Sequence, residues 1–316
     1  MEKYTISKED LKVTVIICAY TMERFDDTVE AIGSVIAQNL KPHELIVAVD
    51  HDKELFQRLK SELPNDMKIV LNEGIRGLSE TRNVGIRAAS GNLVAFIDDD
   101  AISEESWLEN LTKPFYDPLV VAVGGRSVPL WLNGKRPYWF PEELDWIIGC
   151  TYKGLPLDGN MIRNVPGCNM AFRKTAFDKA GFFRSEIGGL KRTPRGGEEA
   201  DFCLRIKQKI PKALIIYEEN ATIHHKVPSW RLNFKYLFQR SYNEGFYKRM
   251  VEKLSPTLLQ RSLSTEDSYI RYLFFTSIPE RLRRFYKKGE LQQVGAILAC
   301  VAATILGYLT GWVKLR

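Results

Sequence analysis

The chain has 316 residues and lacks the apparatus of a disulfide scaffold or a zinc knuckle. Its five cysteines, at 18, 150, 168, 203 and 300, are odd in number and form no CxxC pair, so a reducing compartment is expected. Glycine (22) and proline (14) are too few and too scattered for a collagen-like or low-complexity chain. No internal repeat is visible. The first twelve residues, MEKYTISKEDLK, are polar, and no signal peptide is expected there. The chain is not acid-rich, which disfavours a high-salt cytoplasm. No nucleic-acid motif accompanies its positive charge, so nucleic acid is not an expected partner. What is present is 45% apolar and 27% charged residues, an ordinary globular balance with material for a sizeable core.

The net charge of +6 is unevenly spread. From Lys226 to the end there are 16 basic and 6 acidic residues, so that stretch carries +10 and the first 225 residues carry −4. Nucleic acid, anionic lipid or a phosphorylated substrate could each answer such a charge. Val294–Val313 then runs 20 residues without a formal charge, about the length that crosses ~30 Å of hydrocarbon. Arg281, Arg283, Arg284, Lys287 and Lys288 precede it, and basic residues favour the cytoplasmic side. The expectation is a C-terminal apolar helix that anchors the chain at the cytoplasmic face of the cell membrane, either spanning it or lying in its interface. A buried amphipathic helix is the plainer alternative, since several Ala, Gly and Thr dilute the run.

Short β-branched runs at Val13–Ala19, Glu44–Val49, Met67–Leu71, Leu93–Ile97 and Val120–Gly124 read as buried strands. Helical spacing lies between them at Asp27–Gln38 and Glu54–Ser61, and in a helix N-capped by Ser79, running through Ala89 and ended by Gly91. This alternation predicts an α/β fold with a doubly wound, mostly parallel sheet. Residues 126–165 read as a long irregular region, Glu198–Lys209 as a helix and Ala213–Tyr217 as a short strand. Basic amphipathic helices follow at Arg231–Val251 and Ile270–Lys288. In such sheets ligands bind beyond the carboxyl ends of the strands. Three of those ends are polar: AYTMER, Asp50-His51-Asp52 and Asp98-Asp99-Asp100.

The aspartate triplet is the sharpest clue. Adjacent carboxylates repel one another, and a cation relieves the repulsion. Extended geometry would send Asp98 and Asp100 to one face and Asp99 to the other. Two hard oxygen ligands on one face suit Mg²⁺ or Mn²⁺. A solvated acidic turn is the alternative.

The motifs VIICAYTMER, NEGIRGLSETRNVGIRAASG, LVAFIDDDA, VPGCNMAFRKTAF, GEEADFCLRI and HHKVPSWRLNFKYLFQRSYNEG span residues 13 to about 246. In their order and spacing the chain resembles a family-2 glycosyltransferase of GT-A fold. It looks most like the branch that extends dolichyl- or polyprenyl-phosphate-linked sugars. The resemblance implies a GT-A catalytic domain over 1–230, basic amphipathic helices over 231–290 and an apolar anchor over 291–316. It implies an inverting, metal-dependent transfer from a UDP- or GDP-sugar to a lipid-phosphate-linked or glycan acceptor. Ala19, Tyr20 and Arg24 would line the nucleotide pocket and Asp50 would bond the base. Arg82 would approach nucleotide or phosphate, or else be a surface arginine. Asp98 and Asp99 belong with the nucleotide sugar, Asp98 and Asp100 with the metal. His225 would complete the metal site or touch the diphosphate, with His224 second. Asn169 would lie near the sugar or acceptor, or simply hold a turn. Where the family shows Glu-Asp, this chain has Glu198-Glu199 and then Asp201. Glu199 is the first candidate for the base, Glu198 the second and Asp201 the third. A helix N-terminus enriched in acids is the bland reading of that triplet. Arg240, Tyr242 and Glu244-Gly245 match a family stretch, as phosphate contacts or as packing.

Two rival readings stand beside it, the first on a related α/β fold. A nucleotidyltransferase would share the acidic metal site, but its glycine-rich phosphate loop is missing from AYTMERFDD. A non-catalytic membrane-bound relative draws support only from the Glu-Glu departure.

Overall fold

The structure is a computed structural model that describes residues 10–64, 67–132, 134–187, 196–254 and 264–314. The described residues fall into two compact units. The first comprises 10–128, 159–187 and 198–225; the second comprises 129–158, 196–197 and 226–314.

The first unit is built on one sheet, in the order β3-β2-β1-β4-β7-β6-β8-β5. Strands β1 (Val13–Ala19), β2 (Glu44–Asp50), β3 (Lys68–Asn72) and β4 (Leu93–Asp98) pair in parallel. Beyond them β7 (Asn169–Arg173) pairs antiparallel with β4 and with β6 (Val120–Trp131). The short β5 (Ala101–Ser103) pairs antiparallel with β8 (Leu214–Val227).

The period of two in the strands divides the core between the two faces of the sheet. Val13, Val15, Ile17 and Ala19 of β1 pack with Phe25, Ala31, Ile32 and Val35 of α1 (Phe25–Ile36), and with Trp107, Leu108 and Leu111 of α4 (Trp107–Thr112). Ile16 and Cys18 face the other way. They meet Ile86 and Ala89 in and just beyond α3 (Leu78–Ala88), and a ring cluster from α5 (Thr175–Ala180) and α6 (Glu198–Lys209). There Phe177 and Phe202 stack with centroids 4.7 Å apart. Covered on both faces, β1 is apolar apart from Thr14, whose hydroxyl donates to Glu44 at 2.8 Å.

Helix α3 begins one residue before the expected Ser79 cap. Gly77 is its N-cap at φ 135°, a conformation that favours glycine. Ser79 is instead buried inside the first turn and donates to the Ile187 carbonyl at 2.6 Å. Strand β8 does not stop at Tyr217: it continues through the polar Glu218-Glu219-Asn220 to Val227. That extension carries His225 into the sheet opposite Ala101. The expected irregular region 126–165 contains the end of β6 and a 3₁₀ segment, Glu142–Ile148.

The second unit holds four α-helices among the described residues: α7 (Phe234–Leu254), α8 (Ser264–Tyr272), α9 (Ile278–Arg283) and α10 (Glu290–Lys314). The remaining helix, α2 (Lys53–Glu62), belongs to the first unit. A π-helical turn, Leu273–Ser277, joins α8 to α9. The unit's core gathers Phe140, Leu144, Ile147 and Ile148 with Leu237, Leu273, Ile297 and Cys300. At its centre the Glu143 carboxylate is fully buried and takes both Arg281 nitrogens, at 3.0 and 2.6 Å, and the Ser277 hydroxyl at 2.9 Å. A buried charge pair of this kind tolerates neither partner's removal.

Candidate active site

Two groups of side chains carry the candidate chemistry, one at the carboxyl ends of β1 and β4 and one between α3 and α6. The first begins where β1 ends at Ala19. Thr21 accepts from the Glu23 amide and caps a 3₁₀ turn, Met22–Arg24, that sets Arg24 in place. Asp52 braces the turn by accepting from the Met22 amide at 3.2 Å, and it caps α2 through the Leu55 amide at 2.9 Å. Arg24 then reaches the aspartate triplet: Nη1 lies 2.8 Å from Asp99 Oδ1 and Nη2 3.0 Å from Asp100 Oδ2. Its guanidinium also lies 5.1 Å from the centroid of the Tyr20 ring, a cation–π distance.

Only Asp98 of the triplet belongs to β4; Asp99 and Asp100 form a turn. The strict in-and-out alternation expected for the three therefore does not hold, and Asp99 and Asp100 share Arg24. Asp98 and Asp100 do converge, as the sequence suggested, and they converge on His225. His225 Nε2 is 3.3 Å from Asp100 Oδ1 and 4.0 Å from Asp98 Oδ2. One ligand atom from each of Asp98, Asp100 and His225 lies within 4.8 Å of the others. His224, one residue earlier on the strand, turns away and meets Glu104 at 3.1 Å.

The triplet is short of positive charge even with Arg24 beside it. Burial, reinforced by Asp100, pushes the Asp98 carboxyl up to about 6, although 31% of its side chain stays exposed. Burial pushes Asp99 up to about 7 against the opposing pull of Arg24. Asp99 Oδ2 is buried without a hydrogen-bond partner. The two carboxylates are hard oxygen donors that fit Mg²⁺ or Mn²⁺, the imidazole adds a borderline nitrogen donor, and a divalent ion would relieve this strain of like charges.

The second group is built around Arg82, which is almost fully buried on α3. Its Nη1 lies 3.0 Å from both Glu198 Oε1 and Glu199 Oε1, and its Nη2 donates to the Gly167 carbonyl at 2.9 Å. Arg82 is thus a clamp on the two glutamates rather than a surface arginine. Burial and the adjacent Glu199 push Glu198 up to about 8, against the pull of Arg82. Its Oε2 is buried with no hydrogen-bond partner. Glu199 keeps 14% of its side chain exposed, against 3% for Glu198. Asp201 is wholly buried, bonded by Arg184 at 2.8 Å and by Arg205 Nε at 2.8 Å. It fixes the first turn of α6 and offers no oxygen to solvent.

Two further expected residues turn inward as braces. Asp50 accepts from the Gly77 amide at 3.1 Å and from Asn72 Nδ2 at 2.9 Å, and so holds the start of the helix that carries Arg82. Asn169 is fully buried: its Nδ2 donates to the carbonyls of Arg126 and Ala221, and its Oδ1 accepts from Trp107 Nε1. The amide nitrogen ties β6, β7 and β8 together and the amide oxygen ties them to α4.

Gly167 escaped the sequence reading. A Cβ there would sit 1.8 Å from Glu199 Oε1. Only a glycine lets the carboxylate lie against that backbone. Its place between Val165-Pro166 and Cys168 in a quoted motif was the available signal. The motif Arg240–Gly245 lies on α7, where Arg240 and Lys248 hold Glu244 at 2.8 and 3.0 Å. Despite burial, those two cations draw the Glu244 carboxyl down to about 2.

Comparison with known proteins agrees with this arrangement. Residues 14–181 match the family described as "Glycosyl transferase family 2". Along 307 residues the chain is 33% identical to the glucosyl-dolichyl phosphate glucuronosyltransferase of Haloferax volcanii, covering 95% of this chain and 96% of that protein. The mannosyltransferase PcManGT of Pyrobaculum calidifontis, solved with GDP-Man and Mn²⁺, superposes with a TM-score of 0.60 at 17% identity, over 96% of this chain and 88% of that one. GalNAc-T7, solved with UDP, GalNAc and Mn²⁺, does so with a TM-score of 0.53 at 15% identity, over 83% of this chain and 55% of that one. These likenesses establish the mixed α/β GT-A fold. The family match, and the similarity along nearly the whole length, place the chain in glycosyltransferase family 2, as a glycosyltransferase.

Proposed function

We propose that the protein is an inverting, metal-dependent glycosyltransferase that moves a sugar from a UDP- or GDP-sugar to a polyprenyl-phosphate-linked or glycan acceptor at the cytoplasmic face of the membrane. The observation that carries this reading is one unit holding both an Asp98–Asp100–His225 group and an Arg82-clamped glutamate pair. The two lie close enough for the charges of Arg82 and Glu199 to act on Asp98. The printed names of the relatives support the two substrate classes: a dolichyl phosphate sugar for one, and GDP- or UDP-linked ligands with Mn²⁺ for the solved structures. Membership of family 2 favours this reading over the nucleotidyltransferase, and the Asp98–Asp100–His225 group together with the clamped glutamate pair supports a catalytic chain over a non-catalytic relative.

Asp98, Asp100 and His225 would hold Mg²⁺ or Mn²⁺, which supplies positive charge to a departing nucleoside diphosphate. Arg24 fixes the turn that presents Asp99 and Asp100. Ala19 and Tyr20, at the end of β1, line the nucleotide pocket in this reading. Glu199, the more exposed of the pair, takes the proton from the acceptor hydroxyl. The acceptor oxygen bonds to the anomeric carbon as the bond to the diphosphate oxygen breaks and that oxygen keeps the electron pair. Attack opposite the leaving group inverts the anomeric centre. Arg82 and Gly167 hold Glu199 at the required place. Glu198, held neutral, leaves the Arg82 charge to its neighbour.

A transfer assay with UDP- and GDP-sugars and a polyprenyl-phosphate-linked sugar acceptor tests the reading. Glu199→Gln should lower kcat by roughly 10²–10⁴-fold while nucleotide affinity holds. Undiminished turnover in that variant would remove Glu199 as base.

A further inference from the structure

We propose that α10 lies in the plane of an anionic lipid surface and does not cross the bilayer. Among the described residues it is the one helix long and apolar enough to cross, with a mean hydropathy of 1.9 over its best 18-residue window. Composition alone therefore permits a span. The packing does not.

The helix has two distinct faces. Ala296, Cys300, Ala303, Gly307 and Gly311, spaced by three and four, are buried. Leu291, Leu298, Ile305 and Trp312 recur every seven residues on the other side, each between 44% and 55% exposed. The buried face packs on the unit's own core toward its N-terminal end and on α7 toward its C-terminal end. The approach to α7 is as close as backbones allow. A Cβ on Gly245 would lie 1.9 Å from the Thr304 carbonyl oxygen, and one on Gly307 would lie 1.8 Å from that of Tyr242.

That contact fixes the depth. Thr304 stands at the middle of the uncharged run 294–313, where a spanning helix would meet the centre of the hydrocarbon. Gly245 would be carried to the same depth, with Glu244, Lys248 and Arg249 within about a turn of it. Tyr308 donates at 2.7 Å to Glu252, which also pairs with Arg249 at 3.0 Å. A helix bearing this many charges does not belong at the middle of a bilayer. An amphipathic helix with an apolar outer stripe belongs at its surface.

The flanking segment identifies what covers the stripe. From the last turn of α9 to the start of α10 the exposed residues alternate in kind: Leu282 and Arg283, then Phe285 and Tyr286, then Lys287 and Lys288. Interfacial aromatics interleaved with cations match an anionic headgroup layer, where a protein groove would offer no reason for that alternation. The inference deepens the membrane part of the proposed function and rests on it only for its biological sense, because lipid binding is read without any substrate.

The experiment uses the full chain, sedimented with phosphatidylcholine vesicles and with vesicles containing 30% phosphatidylglycerol, about the charge density at which basic clusters bind. Binding should require the anionic lipid and weaken in high salt. Leu298→Glu with Ile305→Glu, both on the exposed stripe, should lower vesicle affinity at least tenfold with thermal stability unchanged. Arg283→Glu with Lys287→Glu should do so by roughly fivefold or more per charge. Terminal tags on the chain expressed in cells should be digested from the same side of sealed membranes. A C-terminal tag on the opposite side overturns the proposal. So does vesicle binding indifferent to these variants, or self-association of the chain in place of lipid binding. Nucleotide binding measured in parallel on the same preparations shows whether the transferase reading stands or falls separately.

Discussion

Replacing Glu198 by glutamine keeps an oxygen for Arg82 and removes a titration, so it isolates the electrostatics of the glutamate pair. Burial and Glu199 raise the Glu198 carboxyl from 4.5 to about 8. Between those values the folded chain holds a proton that the unfolded chain releases. The sign follows: this contribution to stability is complete below about pH 4.5 and is lost as pH rises through about 8. At ~1.4 kcal/mol per pH step the ceiling is on the order of 5 kcal/mol. Glu199 shares Arg82, so the working figure is roughly 2–3 kcal/mol. For a chain of this size that is on the order of 5–10 °C in Tm. Wild type and Glu198→Gln should melt together at pH 5 in metal-free buffer, and the variant should be the more stable by that margin above pH 8. Asp98 and Asp99 are also raised, but they titrate alike in both proteins, so the difference between the two curves reports Glu198. Turnover should survive in Glu198→Gln. Parallel Tm curves from pH 5 to 8.5 would refute the assignment of the proton to Glu198.

Other substitutions probe separate parts of the account. Asn169→Ala leaves the Arg126 and Ala221 carbonyls and the Trp107 indole N–H without their buried partner, and should cost about 3 kcal/mol or more in denaturant unfolding; a loss below 1 kcal/mol would contradict the bracing role. Gly167→Ala places a methyl 1.8 Å from Glu199 Oε1, so kcat should fall roughly 100-fold in the transfer assay while the chain stays folded. Gly245→Ala pushes against the Thr304 carbonyl and should lower unfolding stability by about 1–3 kcal/mol.

The parallel half of the fold was legible because its strands are covered on both faces. Leu93–Ile97 is a continuous apolar run and Val13–Ala19 is broken only by the β-branched Thr14, and no alternative local structure competes for them. The antiparallel half was legible only in part, through the starts of β6 and β8. β7, Asn-Met-Ala-Phe-Arg, is too short to declare itself and exists because β4 and β6 flank it. β8 was cut short at Tyr217 because Glu-Glu-Asn reads as a turn, yet the strand bears those residues at half-buried and exposed positions before turning inward again at Ala221. His225 could still be singled out from its place before Val-Pro, and the fold brings it to Asp100. The three acids of α6 could not be ranked by spacing. What separates them is Arg82, which reaches Glu198 and Glu199, and Arg184, which claims Asp201 from 17 residues upstream. Asp50 is expected to bond the base; that its carboxylate also accepts from the Gly77 amide, 27 residues further on, is a contact no local pattern announces. The apolar tail could be found from composition alone, but its depth depends on α7, whose charges lie far off in sequence.

The central claim is that Asp98, Asp100 and His225 hold a divalent ion against a nucleoside diphosphate. Calorimetric titration of GDP and of UDP into the full chain, with Mn²⁺ and with EDTA, tests it most directly. The account predicts that one of the two nucleotides binds at least tenfold more tightly with Mn²⁺, and that Asp100→Asn removes this dependence while Tm is kept. Equal affinity with and without Mn²⁺ for both nucleotides, or an undiminished metal dependence in Asp100→Asn, would contradict it.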